Sequence, residues 1–356
     1  MTLETDLAFL AAAVKGTDAQ PGDDLVRFAR EHSVAEILDG LLEGSPLRAR
    51  VPADALAALR AARIAQAERS ARLLAALERI TAAFRAAGIG CIAMKGLGLG
   101  ARFYGSLDRR STRDIDLLVA EEDIDRAERA LGTLGFRRAS IVPLRRLAVR
   151  WTHAFDYVGH GVTVDLHWTL ARHPSFLFDP GGLRGRSEER AIGEVRVDQL
   201  CDEDALASCA LAVFRDIQRG ALRARALVDL YRIALACPAL DWPAFLARRR
   251  AEGIYRITVN VCALLLHAFD ARERLPGVAA AVDAAKDDVR VDATTHLRLL
   301  SPSRFALGNR LFAIRLYECS PARSFLWWLL SMPVRVLAYR SWRLPRRRRG
   351  KRSRMP

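Results

Sequence analysis

The spacing of apolar residues changes period twice along these 356 residues, and that change limits the fold more than any other feature. Over residues 25–42 and 53–87 apolar side chains recur every three or four positions, as on one face of a helix. Between 88 and 170 the pattern becomes short runs divided by turn glycines. Residues 91–94, 115–119, 147–158 and 162–170 read as strands, and 121–134 as a helix closed by Gly135. Helical spacing returns from 202 to 316, strongest at 203–218, 221–236, 244–250 and 254–269. A strand-rich segment between two helical ones predicts an α+β protein. The expected division is a helical region over 1–88, a sheet core over 89–200, a helical domain over 201–322, and an amphipathic helix with a basic tail over 323–356.

Composition is that of a globular chain, 51% apolar and 27% charged, which excludes collagen, coiled-coil and wholly disordered classes. Net charge is +15, but nine positive charges fall between Arg340 and Arg354 with no acid among them, so the rest carries only +6. Lysine is scarce: Lys15, Lys95, Lys286 and Lys351 are the whole set, so a lysine inside a motif stands out from an arginine-rich background. The six cysteines show neither Cys-x-x-Cys pairs nor a zinc spacing, which fits reduced thiols and a cytoplasmic location. Glu4 and Asp6 near the start are unlike a secretory signal, and the uncharged run at 324–334 falls short of the ~20 residues of a spanning helix. No transmembrane segment is expected.

Chemistry concentrates in the strand-rich segment. Met94-Lys95-Gly96 ends an apolar run, and Leu97-Gly98-Leu99-Gly100 opens a helix; a glycine there lets backbone N–H groups approach an anion. In Arg110-Ser-Thr-Arg-Asp114-Ile-Asp116-Leu-Leu-Val119 the two aspartates share one strand face and Ile115, Leu117 and Val119 the other. Carboxylates ~7 Å apart along a strand can share hard cations, and Mg²⁺ is the expected ion. Val162-Thr-Val-Asp165-Leu-His167-Trp168 alternates likewise, making Asp165 a candidate third carboxylate. His167 is read as a buried structural histidine or one that orients Asp165. A three-residue loop at Gly159-His160-Gly161 would set His153 opposite His167, and a two-residue loop would undo that pairing.

Gly96-x-Gly98-x-x-Ala101 also satisfies a dinucleotide-binding fingerprint. In that fold the ribose-binding acid ends the second parallel strand, whereas Asp114 and Asp116 begin theirs. The end of one strand and the start of the next meet most easily when the two run antiparallel.

Lys95-Gly96, Tyr104, an arginine four before the first aspartate (Arg110), Asp114-Ile-Asp-Leu-Leu-Val119 and Asp165-Leu-His-Trp168 occur here in the order of the uncharacterised nucleotidyltransferase family of the DNA polymerase β superfamily, which the chain resembles. The likeness is sharpest over 91–136 and 164–168. A Gly-Ser pair usual in the wider superfamily is replaced by Lys95-Gly96. The resemblance implies a small mixed sheet with a helix after its first strand. It further implies two Mg²⁺ ions, with Mn²⁺ as a substitute, on Asp114, Asp116 and Asp165, and transfer of a nucleoside monophosphate from an NTP to an acceptor hydroxyl. Lys95, Gly96 and Arg110 would then bind the triphosphate.

Beside this stand plainer readings. Tyr104 packs its helix on the sheet, Trp151, Tyr157 and Trp168 are packing residues, Asp229 pairs with a neighbouring arginine or helps to bind substrate, and Arg110 is a salt-bridge residue. The tail, preceded by Phe325, Leu326, Trp327 and Trp328, would contact nucleic acid or an anionic membrane surface, or serve only to solubilise. The alternative to an enzyme is a non-catalytic protein of the same fold docking through that tail. The acceptor class, small molecule, peptide, protein or RNA, is open.

Overall fold

The structure is a computed structural model and describes residues 2–139, 145–220, 222–301, 306–320, 322–327 and 329–330. The basic tail lies outside the described residues.

The helical periods become α1 (Thr2–Lys15), α2 (Leu25–Glu31), α3 (Ala35–Leu42) and the 34-residue α4 (Ala53–Ala86). The strand-rich segment forms β1 (Cys91–Ala93), α5 (Leu97–Tyr104), β2 (Asp114–Val119), α6 (Ile124–Thr133), β3 (Arg137–Arg138), α7 (Arg145–Trp151), β4 (Ala154–Gly159) and β5 (Val162–His167). After α8 (Pro180–Gly185) a hairpin of β6 (Glu188–Ile192) and β7 (Val195–Gln199) precedes α9 (Asp202–Arg219), α10 (Ala224–Ala236), α11 (Trp242–Ala251), α12 (Tyr255–Phe269) and α13 (Pro276–Ala284). The chain is α+β as expected, with one mixed sheet ordered β3-β4-β5-β2-β1-β7-β6.

β1 and β2 run antiparallel, Ala93 opposite Leu117, and β2 and β5 parallel. This antiparallel entry removes the dinucleotide-binding reading, whose sheet is parallel there. On one sheet face Ile115, Leu117, Val119, Val164 and Leu166 pack with Leu73, Leu77, Ile80 and Phe84 of α4 and with α6. The opposite face presents the aspartates, which line a cavity together with Ala212, Arg215, Asp216 and Arg219 of α9. Residues of α1–α3 share a second core with α9–α13.

Two strand expectations change. Residues 147–151, read as the start of a strand, belong to α7, and β4 begins at Ala154. A two-residue turn, His160-Gly161, with both φ angles positive (51° and 75°), sets Gly159 opposite Val162 and Ala154 opposite His167. Residues ahead of His153 then run past the end of β5. The same turn overturns the pairing of His153 with His167; His153 instead accepts at its carbonyl from the Trp168 N–H, and the two rings lie 5.5 Å apart. The β6–β7 hairpin was not foreseen, although Val195-Arg-Val-Asp-Gln alternates and Gly193 marks its turn at φ +58°. No helix among the described residues is long and apolar enough to cross a membrane.

Candidate active site

Because β2 and β5 are parallel and in register, Asp116 stands beside Asp165, and two residues along Leu118 stands beside His167. Asp114, Asp116 and Asp165 therefore share a face, as their alternation predicts. One ligand atom each from Asp116, Asp165 and His167 lies within 4.8 Å of the others. Asp114 lines the same cavity but is not part of that tight group. His167 makes its hydrogen bond to Asp116, with Nε2 3.2 Å from Asp116 Oδ1, while lying in the same tight group as Asp165. Its other ring nitrogen, Nδ1, is buried with no hydrogen-bond partner among the described residues.

The Lys-Gly corner meets this row from the neighbouring strand. The Met94 N–H donates to the Asp116 carbonyl at 3.1 Å, which brings Lys95 to the aspartates. Gly96 takes φ +59° and ψ −117°, and a Cβ there would sit 3.1 Å from Thr112 Cγ2 and 3.3 Å from the Asp114 carbonyl oxygen. Only glycine fits such a turn without strain.

Charge is dense for so buried a place. Burial, then Asp116, Asp156 and Asp114 as like charges, pushes Asp165 up to about 8. Burial and Asp116 also raise Asp114. Burial works against ionisation of Asp116 too, yet Lys95 and the His167 hydrogen bond hold it well below the usual carboxylate range. Burial, then Arg215, lowers Lys95 against the pull of Asp116. The clustered oxygens of Asp116 and Asp165 with the His167 imidazole are a donor set that a divalent cation can take.

Arg110 does not face this cavity's acids as a free cation. It is 4% exposed, and its Nε and Nη2 donate to the two Asp229 carboxylate oxygens at 2.7 and 2.8 Å. Tyr104 Oη donates to the same carboxylate at 2.6 Å, so the plainer readings of Tyr104, Arg110 and Asp229 meet in one buried cluster. Arg110 Nη1 also donates to the Gly96 carbonyl at 3.3 Å.

Sequence reading missed Asp156, which the β4–β5 register places opposite Asp165. Its signal was the alternation Ala154-Phe-Asp156-Tyr157. It missed as well the arginines Arg215 and Arg219 of α9, and Arg223 and Arg225 beyond it, which line the same cavity of about 450 Å³. Their helix reads as an ordinary amphipathic one, and only packing turns that face to the sheet.

An antiparallel strand entry, a Lys-Gly corner and an acidic row on one sheet face are the arrangement expected of a nucleotidyltransferase. Residues 18–270 match the family model described as "Uncharacterised nucleotidyltransferase". The chain belongs to that family. Among solved structures, that of the antibiotic-resistance factor ANT(2'')-Ia aligns at 17% identity and TM-score 0.35, covering 49% of this chain and 88% of that one. Comparison with curated proteins finds no match.

Proposed function

We propose that the protein transfers a nucleoside monophosphate from an NTP to an acceptor hydroxyl with the help of Mg²⁺. The observation that carries this reading is the in-register pairing of Asp116 with Asp165, with His167 alongside and Lys95 brought in from β1. Asp116 and Asp165, with His167, would hold one ion, and Asp114 with Asp116 a second. Mg²⁺ there, or Mn²⁺ in its place, would supply positive charge to the attacking and leaving oxygens of an in-line displacement.

The chain's own groups do the rest. Lys95, with Arg223 and Arg225 on the cavity wall, faces the triphosphate, and the open Gly96 turn admits it to backbone N–H groups. Arg110 in this reading is a positioning residue that holds the turn through the Gly96 carbonyl, and Asp229 fixes Arg110. The acceptor oxygen bonds to the α-phosphorus, the bond from that phosphorus to the bridging oxygen of pyrophosphate breaks, and the hydroxyl proton passes to Asp165. A peripheral contact of the basic tail with an anionic surface, in a cytoplasmic setting, belongs to the same reading and is supported by charge alone.

Calorimetric titration of the full chain with a non-hydrolysable NTP tests the core of it. Binding that needs Mg²⁺ and weakens at least about tenfold in Asp116→Asn and Asp165→Asn is expected. Equal nucleotide affinity with and without a chelator, and in both variants, overturns it.

A further inference from the structure

We propose that the second cavity beside the acidic row is the acceptor subsite, and that the acceptor it takes is a small hydroxyl-bearing aromatic anion, a carboxylate or phosphate ester. This rests on the transferase reading and names the substrate class for it.

Position is the first argument. A cavity of about 320 Å³ shares His153, Arg215 and Arg219 with the acidic cavity, so the two are contiguous. The Lys95-Gly96 corner lies at the Asp114 end of β2, since Gly96 packs against Thr112 and the Asp114 carbonyl. The second cavity lies at the opposite end, where residues 151–153 lead into β4 and 171–173 leave β5, beyond His167. An in-line displacement requires the nucleophile to arrive opposite the leaving pyrophosphate. With the pyrophosphate end at the Lys-Gly corner, the hydroxyl comes from the His153 side, past Asp165, which is where this cavity opens.

Wall chemistry is the second argument. Two nearly parallel ring pairs provide flat faces: Trp151 on Trp327, centroids 4.4 Å apart at 9°, and His173 on Tyr317, 3.6 Å apart at 11°. Such faces favour a planar partner. Arg172 and Arg310 join Arg215 and Arg219 around the cavity, and among the described lining residues there is no aspartate or glutamate. The neighbouring cavity, in contrast, carries Asp114, Asp116, Asp156, Asp165 and Asp216. Arg172 is held by Glu121 at 3.1 Å and Arg215 by His153 at 3.0 Å, yet the wall keeps a net positive charge that repels a cationic acceptor and attracts an anionic one. The volume is at the small end for ligand pockets, which suits a small molecule.

The test is a fragment screen by saturation-transfer NMR on the full chain with Mg²⁺ and a non-hydrolysable NTP. The library holds equal numbers of size-matched hydroxyaryl anions, neutral molecules and amines. Anionic fragments should dominate the hits. Their affinity should fall about tenfold in Arg310→Gln, the size of one lost charge-assisted bond. They should vanish in Leu311→Trp, where an exposed wall residue is enlarged to fill the cavity. NTP affinity should be the same in both variants. A screen with no hits, hits dominated by neutral molecules or amines, or anionic hits indifferent to both variants overturns the proposal. If NTP alone displaces the hits and Leu311→Trp weakens NTP binding, the cavity holds the nucleobase and the proposal falls. Failure of the transferase reading shows separately, as loss of all Mg²⁺-dependent NTP binding with anionic hits retained, and removes the acceptor role.

Discussion

Arg110 and Asp229 form a two-pronged ion pair across 119 residues of sequence, buried beneath the active-site turn and tying β2's approach to α10. Burying both charges is costly, and breaking such a pair from one side leaves the other charge stranded. Asp229→Ala is therefore expected to destabilise the protein by about 3–5 kcal/mol, measured by urea unfolding. The joint replacement Arg110→Met with Asp229→Leu should recover most of that loss. Recovery of stability without recovery of nucleotide binding would mark the pair as a support for the Gly96 turn.

Gly96 and Gly132 should respond oppositely to alanine. At Gly96 the positive φ and the nearby Thr112 and Asp114 atoms predict a cost of about 1–3 kcal/mol, together with weaker nucleotide binding. Gly132 lies within α6, exposed, with no atom within 4 Å of an added Cβ. Its replacement should raise stability by about 0.5–1 kcal/mol. Thermal melts of the two variants check both signs.

His32 predicts a pH dependence of stability. Its ring is 4% exposed and its Nδ1 accepts from the Ala224 N–H at 3.3 Å, so the buried form is neutral. Burial is the main cause that lowers it from 6.5 to about 4; Glu31 opposes and Arg223 adds. Between those values the unfolded chain binds the extra proton, so the stabilisation is complete above pH 6.5 and is lost as pH falls toward 4. The loss amounts to about 3 kcal/mol. Urea midpoints across that range should fall less steeply in His32→Gln, which keeps an acceptor and cannot titrate.

Asp165→Asn should stabilise the metal-free protein while removing its response to metal. The carboxylate is half-buried among Asp116, Asp156 and Asp114, and an amide relieves that repulsion. A rise in Tm of a few degrees without metal is expected, about 1–2 kcal/mol for a crowded charge. The wild-type gain in Tm on adding Mn²⁺ should disappear. A variant that melts lower than wild type without metal, or still gains from Mn²⁺, contradicts the placement of this residue among the ligands.

The elements nearest the chemistry were legible because their causes are local. Period-two alternation around Asp114, Asp116, Asp165 and His167 follows from pleat geometry, and the three-to-four spacing before and after follows from the helix; neither depends on what packs against them. The glycine after Lys95 was legible for the same reason, since a tight turn restricts its own residue. Register and partnership were decided elsewhere. That Asp156 faces Asp165 depends on a two-residue turn at His160-Gly161, and one more residue would have moved the pairing. That β5 inserts between β4 and β2, that Arg110 is held by Asp229, and that α9 and the start of α10 bring Arg215, Arg219, Arg223 and Arg225 to the aspartates are outcomes of long-range packing. Such contacts join residues whose neighbours in the chain carry no trace of one another, and only the closed tertiary structure, which fixes the burial and the distances between charges, determines them.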